Sequence, residues 1–563
     1  MFTEFCGVNP AFTTVLEKVK LARHVIRQLL EQGHPLILSY SGGKDSSVIT
    51  NIALTVAAEL PPGQCPDILL LHADTRVENP EMVSHVRIQT REIKEFADVN
   101  GISLGIHVSQ PTLANHWAVK VIGGKVLPTL PASGGSAGGR QCSVDWKGGP
   151  LRALTRDTLK SMKQSGYEAV RVSGTRKDES AVRRKKMEKR GETSQEVWSD
   201  GQELCLSPIA EWSDVDVWTY LQMASAGKIH SYSNFESLKE LYLAGSTDTR
   251  LTDGVIVPSC RFGCAVCCVG RDKSMAGLLE SNPQKYGYMD GLHRLQKFIL
   301  ATAYDWSRRQ WVNRGLVNER FIKIMPDVYS PSMLAELLRF SLSLDELERS
   351  RAYRGGFEPR YELVPPNILL AIDAQWSMYG YHRPFEALRI YRDVVLRGNL
   401  ELPPDVPLLK KTRTPKAKYF PVPEKFLQSR FTGLWNPVLE AVGDSCIGLR
   451  TLSNGNFAYD NELSQQFWIP EESADLVLGL ELDYLLDRQC GSRASGYHYY
   501  QALGALVLSN KGQSLAHDRI LQNTGLLEKL GLAGLEAHEI ERTVSPQCLE
   551  KAEVGSPFDE FEF

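Results

Sequence analysis

The sequence predicts an α/β protein: a doubly wound parallel sheet in its N-terminal part, then a cysteine-cluster segment and a mostly helical C-terminal region. Two apolar runs of strand type, 36–40 and 68–72, alternate with helical patterns at 11–32, 48–60 and 80–99, and a further strand is predicted near 102–109. In the later part of the chain, helices are predicted at 287–315, 332–350 and 366–379. Nearly continuous apolar strands that alternate with helices are typical of parallel sheets covered on both faces. Ligands of such sheets bind beyond the carboxyl ends of the strands, where this sequence places small polar residues.

Length and composition set the class of protein. A chain of 563 residues is long enough for several domains, and we expect three segments, 1–225, 226–350 and 351–563. Apolar residues make up 42% and charged residues 23%, as in ordinary soluble globular proteins. The net charge of −3 confines any nucleic-acid contact to local patches. No apolar run approaches the roughly 18 residues that span a bilayer, so we expect a cytoplasmic protein without a membrane partner.

The stretch after the first predicted strand has the composition of an anion-binding loop. It reads Ser41-Gly42-Gly43-Lys44-Asp45-Ser46-Ser47. Glycines let the backbone approach a ligand, and the free N–H groups and positive dipole of a helix N-terminus favour an anion. The Lys44 ammonium adds charge, and the Asp45 carboxylate suits a cation that accompanies the anion, as Mg²⁺ accompanies ATP. The Walker arrangement is excluded, because Leu38 and Asp45 stand where it needs glycine and a hydroxyl residue.

Polar residues also follow the second predicted strand. Asp74 and Thr75 come directly after it and could contact a nucleotide or its metal ion. The alternative is a helix cap, with Asn79 as N-cap and Pro80 at the first helical position. The two interpretations are compatible, because the cap lies several residues beyond Asp74.

Another predicted strand, 170–174, ends at Gly174 and leads into a basic stretch. If a helix begins there, Arg176 and Arg183 lie two turns apart on one face. Two guanidinium groups near a strand end suit phosphate or sulfate. The alternative is that this basic stretch is only the solvated face of a helix.

Four of the eleven cysteines lie within nine residues. Cys260, Cys264 and Cys267 have the spacing C-x3-C-x2-C, and Cys268 follows directly. Closely spaced thiolates fit an iron–sulfur cluster or zinc, and no nearby histidine completes a zinc set. Cys142 could supply the fourth thiolate. The alternative is a group of reduced structural cysteines without metal.

Several blocks, taken in order, resemble the phosphoadenosine-phosphosulfate reductase family. They are Ser41–Ser47, which matches the PP-loop signature of ATP pyrophosphatases, and Asp74–Glu81, Arg140–Lys147, Gly174–Arg183 and Pro208–Leu221. The block Cys260–Cys267, followed by Asp272–Met275, is similar to the DndC-like and SspD-like sulfurtransferases of DNA phosphorothioation systems. The resemblance covers about residues 15–300. Cys268 departs from the pattern of that branch and leaves open which thiols would bind metal.

This resemblance implies an ATP pyrophosphatase with a sulfurtransferase role in DNA modification and phage defence. The residues expected to bind ATP and Mg²⁺ are Ser41, Gly42, Gly43, Lys44, Asp45, Ser46, Ser47, Asp74, Thr75 and Gly174, with Lys44, Asp45, Arg176 and Arg183 as catalytic residues. Cys142, Cys260, Cys264 and Cys267 would hold a [4Fe–4S] cluster. The implied partners are a cysteine desulfurase as sulfur donor, other Dnd or Ssp proteins, and DNA.

The expected reaction is adenylylation of a DNA backbone phosphate, followed by sulfur insertion. Three alternatives remain open at the level of sequence. A sulfonucleotide reductase shares the fold and the loop, and a tRNA-thiolating enzyme also combines a PP-loop with cysteines. The third is a nucleotide-gated assembly subunit whose cluster is structural.

Overall fold

The computed structural model divides the chain into two compact units. It describes residues 10–61, 63–128, 141–164, 166, 168–201, 203–252, 254–268, 273–318, 320–424, 449–451, 457–459, 467–508 and 511–543. The first unit comprises 1–110 and 143–293, and the second comprises 111–142 and 294–563. This division differs from the three predicted segments, because each unit is assembled from two stretches of chain that are far apart in sequence.

The first unit is built around a six-stranded, mostly parallel sheet. Its strands are β1 (Leu36–Tyr40), β2 (Ile68–Ala73), β3 (Leu104–Ser109), β4 (Val170–Ser173), β5 (Trp198–Asp200) and β6 (Glu203–Leu206). Their order is β3-β2-β1-β4-β6-β5, and within this sheet β5 alone runs antiparallel to its neighbour. The chain moves outward from β1 on one side and returns at β4 on the other. Such a switch in strand order opens a crevice between the loops that follow β1 and β4.

Helices cover both faces of this sheet, as the doubly wound prediction requires. The first three are α1 (Pro10–Glu31), α2 (Lys44–Ala57) and α3 (Pro80–Val99). They share a core with Leu36 and Tyr40 of β1. Ile37 points to the opposite face, where it packs with Leu71 and with apolar residues of the helix Gly149–Gln164. Because successive side chains of a strand alternate between faces, the apolar run fills a core on each side.

The other elements of the first unit follow β4 and β6. They are the 3₁₀ turn Lys177–Glu179, the helices Ala181–Arg190, Asp214–Ser225, Glu236–Ala244, Ser274–Ser281 and Pro283–Tyr286, and the antiparallel pair β7 (Thr249–Thr252) and β8 (Val255–Pro258). The predicted cap of α3 is confirmed, since Asn79 accepts the Glu81 N–H and Pro80 is the first helical residue. Ser213 and Asp216 likewise form a reciprocal capping box at the start of Asp214–Ser225.

The second unit combines helices with small antiparallel sheets. Its described helices are Trp117–Val121, Pro331–Gly355, Pro366–Tyr379, Glu386–Tyr391, Glu471–Leu476, Leu482–Asp487, Ser495–Ala502, Lys511–Lys529 and Ala537–Thr543, and Asp290–Ala301 crosses the division between the units. A three-stranded sheet has the order β11 (Lys418–Pro421), β10 (Phe321–Ile324), β9 (Val312–Val317). Two further antiparallel pairs are described in this unit: β12 (Leu449–Thr451) with β13 (Phe457–Tyr459), and β14 (Phe467–Trp468) with β15 (Val507–Leu508).

One predicted helix of the C-terminal half is only partly right. A helix was expected over 287–315, whereas the helix is Asp290–Ala301 and residues 312–315 belong to β9. Valines at both ends of β9 favour a strand, and pairing with β10 decides the local structure. The helices expected at 332–350 and 366–379 are present. Among the described residues, no helix is long and apolar enough to cross a membrane.

Candidate functional site

The loop after β1 is shaped by two glycines with different roles. Gly42 has φ = +73°, and a Cβ there would lie 2.3 Å from Cγ2 of Val86 on α3. Gly43 is extended and is the N-cap of α2, where it offers no side chain to the first N–H groups of the helix. An N-terminus without a side-chain cap, at the end of a buried parallel strand, is suited to an anion.

The serines of the loop differ in what they can contact. Ser41 is exposed at the start of the turn. The Ser46 hydroxyl accepts the Ser41 N–H (3.2 Å) and donates to the Gly43 carbonyl (3.0 Å), so it holds the loop in shape. Ser47 is fully buried, and its hydroxyl lies beside those of Tyr40 and Tyr232. The Ser47 side chain is therefore directed to the core and is not placed to contact a nucleotide.

A cluster of four charged side chains forms where the loop meets the segment after β4. Lys44 Nζ lies 2.9 Å from Asp45 Oδ2 and 3.3 Å from Asp214 Oδ1. Arg176 Nε donates to Asp45 Oδ1 (2.6 Å), and its Nη2 donates to Asp214 Oδ1 (2.5 Å). Its Nη1 donates to the Trp212 carbonyl (3.1 Å), and the side chain is only 1% exposed. We call these four residues, Lys44, Asp45, Arg176 and Asp214, the charge cluster.

The charge cluster favours the ionised forms of Lys44 and Asp214 through their pKa values. Burial by itself lowers the pKa of Lys44, but Asp45, Tyr242 and Asp214 outweigh it and raise that pKa above its usual value. Burial by itself raises the pKa of Asp214, yet Lys44 and Arg176 outweigh it and keep that pKa below its usual range. Two cations and two carboxylates therefore neutralise one another, and both cations lie beside the helix N-terminus that favours an anion.

Gly174 contributes by its lack of a side chain. A Cβ at this position would lie 2.7 Å from the Asp45 carbonyl oxygen and 3.1 Å from the Ser46 nitrogen. The end of β4 thus touches the backbone of the first turn of α2. This close approach brings Arg176, two residues later, to the Asp45 carboxylate. The predicted role of Gly174 at the nucleotide site is accordingly one of backbone packing.

The predicted pairing of two arginines on one helix face is wrong. Arg176 is extended and lies outside the helix Ala181–Arg190, which begins at its own N-cap, Ser180. Arg183 lies in the first turn of that helix and forms an ion pair with Glu179. The Arg183 side chain is half-buried, and it is not a member of the charge cluster. Its predicted catalytic role stays a prediction.

Asp74 and Thr75 form the turn after β2. The Asp74 carboxylate accepts the Arg76 N–H (2.8 Å) and a hydrogen bond from Gln110 (3.0 Å), and Arg76 has φ = +64°. Thr75 is 2% exposed, and its Oγ1 lies 4.0 Å from the Cys264 Sγ. Asp74 retains exposed surface, whereas Thr75 faces the cysteine segment.

Two site residues were missed by the sequence analysis. Asp214 is the first residue of the helix after β6. It could have been found from its position after a strand end, because the ends of parallel strands lie at the same sheet edge as the loop. The Tyr242 hydroxyl accepts the Lys44 N–H (3.5 Å), and its ring packs edge-on against Phe262, with centroids 5.3 Å apart. Tyr242 thereby connects the loop to the segment that carries Cys260. No local sequence pattern identifies Tyr242 as a site residue, because its position in its helix is that of an ordinary core residue.

The cysteine segment is a turn that pairs with the chain after β2. Cys264 forms an isolated bridge with Glu78, and the Cys267 N–H donates to the Cys264 carbonyl (2.9 Å). Burial, with the charges of Glu78 and Cys267, raises the pKa of Cys264 to about 12. Cys260 packs instead toward Gly245, where a Cβ would lie 2.8 Å from its Sγ. Cys268 is buried and contacts the Val266 carbonyl (3.4 Å).

The predicted metal ligands are not assembled in the part of the chain that the structure describes. There, no group of three or more His, Cys, Asp or Glu side chains is arranged to hold a metal ion. Cys264 and Cys267 interact with each other. The residues as placed do not fit a [4Fe–4S] cluster, which stays a prediction from the resemblance. Each Asp45 carboxylate oxygen already contacts Lys44 or Arg176, so a magnesium ion bound there would compete with these cations.

Comparisons with known proteins match the segment of the chain that contains the loop and the charge cluster. Residues 35–231 match the family model "Phosphoadenosine phosphosulfate reductase domain". Sulfate adenylyltransferase subunit 2 of Methylorubrum populi is 28% identical over 216 residues, which is 35% of this chain and 59% of that protein. The corresponding subunit of Rhodopseudomonas palustris is 26% identical over 215 residues, 35% and 55% of the two chains. This chain thus spans less than two thirds of the length of these relatives.

A solved structure, the FMN adenylyltransferase of Candida glabrata with FMN and an ATP analogue, aligns with a TM-score of 0.25 at 12% identity. The alignment covers 44% of this chain and 65% of that one, and at this TM-score it carries no argument. The loop and the whole charge cluster lie inside the matched segment, whereas the cysteine segment 260–268 lies outside it. Residues 35–231 are therefore similar to phosphoadenosine phosphosulfate reductase domains and to the second subunit of sulfate adenylyltransferase.

Proposed function

We propose that the first unit is an enzyme that binds ATP at the loop 41–47, transfers the adenylyl group to an anionic oxygen and releases pyrophosphate. The observation that carries this proposal is the charge cluster, which sets the buried Arg176 and the half-buried Lys44 beside an uncapped helix N-terminus at the crevice between β1 and β4. A chain of phosphates can contact the helix N-terminus and both cations at once. The similarity of residues 35–231 to nucleotide-dependent sulfur enzymes supports the same substrate.

The chemistry follows from where the charges lie. An acceptor oxygen attacks the α-phosphorus, and the bond from that phosphorus to the bridging oxygen breaks with its electron pair leaving on pyrophosphate. Lys44 and Arg176 stabilise the charge that accumulates on the leaving group, and the N–H groups of α2 orient the phosphates. Catalysis of this kind rests on positioning and preorganised charge rather than on a proton-transfer group.

We propose a DNA backbone phosphate as the acceptor. The support is the resemblance of the cysteine segment to DNA phosphorothioation sulfurtransferases, together with the contact between Thr75 and Cys264 beside the turn after β2. A persulfide supplied by a cysteine desulfurase then attacks the activated phosphorus, and AMP leaves. A second thiol reduces the resulting sulfur–sulfur bond and leaves sulfur on the DNA phosphate. Other Dnd or Ssp proteins would present the DNA.

A second candidate is supported by the family match itself. A phosphoadenosine phosphosulfate reductase domain suggests reduction of a sulfonucleotide, and the relatives suggest sulfate as the adenylyl acceptor. Both use an adenine nucleotide at the same loop. They differ from the DNA proposal in the product, which is sulfite in the first case and adenylyl sulfate in the second.

The nucleotide step is tested by product analysis of the full-length protein. With ATP and Mg²⁺ we expect the protein to release pyrophosphate rather than inorganic phosphate. The correct acceptor, whether duplex DNA, sulfate or another nucleic acid, should increase the rate of this release. Lys44→Ala should reduce this release at least about tenfold, because it removes a cation from the leaving group. Lys94→Ala, on the exposed face of α3, is the matched control and should leave release unchanged. ADP as the product, or an unaffected Lys44→Ala variant, contradicts the proposal.

The acceptor is tested separately in cells. Nuclease digestion and mass spectrometry of host DNA, with and without this gene, should detect phosphorothioate dinucleotides only when the gene is present. Their absence, together with sulfite release from a sulfonucleotide in the presence of thioredoxin, establishes the reductase instead.

A further inference from the structure

A dense group of cations lies in the second unit, outside the segment that matches the family model. We call Lys410, Lys411, Arg413, Lys416 and Lys418 the basic strip. It reads Lys-Lys-Thr-Arg-Thr-Pro-Lys-Ala-Lys and contains no acidic residue. All five side chains are exposed, and in the described residues none of them pairs with a carboxylate. In a chain whose net charge is −3, this is a strong local concentration of positive charge.

The backbone of the basic strip is held at both ends and near its middle. Just before it, the Leu409 N–H donates to the Ala301 carbonyl (3.2 Å). The Trp306 indole N–H donates to the Thr412 hydroxyl (3.0 Å). At its end, Lys418 begins β11, which pairs with β10 through Ile324. The strip has no helix or strand before β11, yet these bonds fix its path. Preorganised charges bind a partner at a lower entropic cost than charges on a free tail.

The dimensions and composition of the strip favour a nucleic-acid backbone over a protein partner. Eight residue steps of extended chain span at most about 26 Å. Duplex DNA carries one phosphate charge per ~1.7 Å of its axis, so about eight base pairs fit along this length. Four of the five cations are lysines, which are depleted at protein–protein interfaces but serve well as phosphate contacts.

We propose that the basic strip binds the phosphate backbone of duplex DNA without reading its sequence. The choice of DNA rests on the proposed function, whereas the charge, exposure and anchoring of the strip do not. Contacts of this kind position a substrate and carry no base information. The strip thus adds a second, nucleotide-independent site of contact to the reaction proposed for the first unit.

The test is the salt dependence of DNA binding by the full-length protein, measured without ATP. Fluorescence anisotropy of a labelled 20-base-pair duplex gives the affinity between 50 and 200 mM salt. Each neutralised phosphate contributes about −0.9 to the slope of log K against log salt. The triple variant Lys410→Gln/Lys411→Gln/Arg413→Gln should flatten that slope by about 2.7 and weaken binding at 100 mM salt at least about tenfold.

Two controls make the outcome specific. The charge-preserving variant Lys410→Arg/Lys411→Arg should bind like the wild type. Neutralising three exposed cations elsewhere in the second unit, Arg354→Gln/Arg397→Gln/Lys529→Gln, changes the net charge equally and should leave the slope within about one unit. Circular dichroism and the unfolding temperature show whether each variant is folded.

The results separate this proposal from the proposed function. An unchanged slope in the triple variant, an equal loss in the scattered control, or no DNA binding by the wild type at 50 mM salt overturns the role of the strip. Binding to phosphatidylserine vesicles in place of DNA overturns it as well. Pyrophosphate release is measured independently, so a chain that binds DNA through the strip but does not cleave ATP contradicts only the proposed function.

Discussion

The conformation of Gly42 gives the sharpest quantitative prediction for the loop. Alanine at this position must adopt φ = +73°, which costs about 1–2 kcal/mol for a residue with a Cβ. The new Cβ would also lie 2.3 Å from Cγ2 of Val86, and an overpacked contact of this kind costs about 1–3 kcal/mol. The total strain in Gly42→Ala is therefore about 2–5 kcal/mol if the loop keeps its shape.

The two parts of this strain can be separated by a second substitution. Val86→Ala removes Cγ2, and the next atoms, Val86 Cβ at 3.6 Å and Met82 Cε at 3.7 Å, are at ordinary contact distance from the new Cβ. The double variant Gly42→Ala/Val86→Ala keeps only the dihedral strain. The double-mutant cycle should show a favourable coupling of about 1–3 kcal/mol.

The assay is the dissociation constant for ATP, measured by calorimetry on the wild type, both single variants and the double variant. A free loop can relieve the strain by rotating away from its bound shape, and the strain then appears as weaker binding. At ~1.4 kcal/mol per factor of ten, Gly42→Ala should bind ATP at least about thirtyfold more weakly. The double variant should recover about tenfold. The reasoning is refuted if the double variant binds no better than Gly42→Ala, or if Gly42→Ala binds like the wild type.

Four further predictions follow from the same contacts. Gly174→Ala should weaken ATP binding and lower the unfolding temperature, because its Cβ clashes with the Asp45 carbonyl at a cost of about 1–3 kcal/mol. The control Gly287→Ala should do neither, because nothing lies within 4 Å of the new Cβ. Ser47→Ala should leave the ATP dissociation constant within about twofold, because that hydroxyl faces the core; a larger loss would place it in the site. Asp214→Asn should tighten ATP binding several-fold at low salt, since it removes a carboxylate that competes for Lys44 and Arg176, and weaker binding would contradict the competition. Burial raises the pKa of Asp373 to about 6, so the folded chain binds more protons than the unfolded chain above pH 4. Asp373 should therefore lower the stability by up to about 3 kcal/mol as pH rises from 4 to 6. The urea midpoint of Asp373→Asn should lose this share of the pH dependence and keep the shares of Asp345 and Asp518, whose pKa values burial also raises.

The sheet and its loop could be predicted because their signals are local. Apolar runs of five residues, glycines at the turn and the cap at Asn79 each act within one turn of chain. The alternation of such elements then limits the topology to a mostly parallel sheet.

The charge cluster could not be predicted in the same way, because it depends on contacts between distant segments. Arg176 meets Asp45 across 131 residues and Asp214 across 38. The expectation that Arg176 lies on a helix with Arg183 was wrong because Ser180 starts a new helix and leaves Arg176 extended. The cysteines illustrate the same limit. Their spacing predicts one metal centre, which stays a prediction, but the contacts of Cys264 with Thr75 and of Cys260 with Gly245 join segments that no local pattern connects.

The self-neutralised charge cluster has a consequence for which anions the loop accepts. In the free protein the carboxylates of Asp45 and Asp214 already occupy the places that phosphate oxygens would take on Lys44 and Arg176. A ligand with a single phosphate has little advantage over these internal competitors, whereas a triphosphate contacts both cations and the helix N-terminus together. In the proposed reaction, the same carboxylates would pair with the cations again after pyrophosphate leaves. We therefore expect the loop to bind polyphosphates in preference to monophosphates such as AMP, because only a ligand that replaces several of these internal ion pairs at once can compete with them.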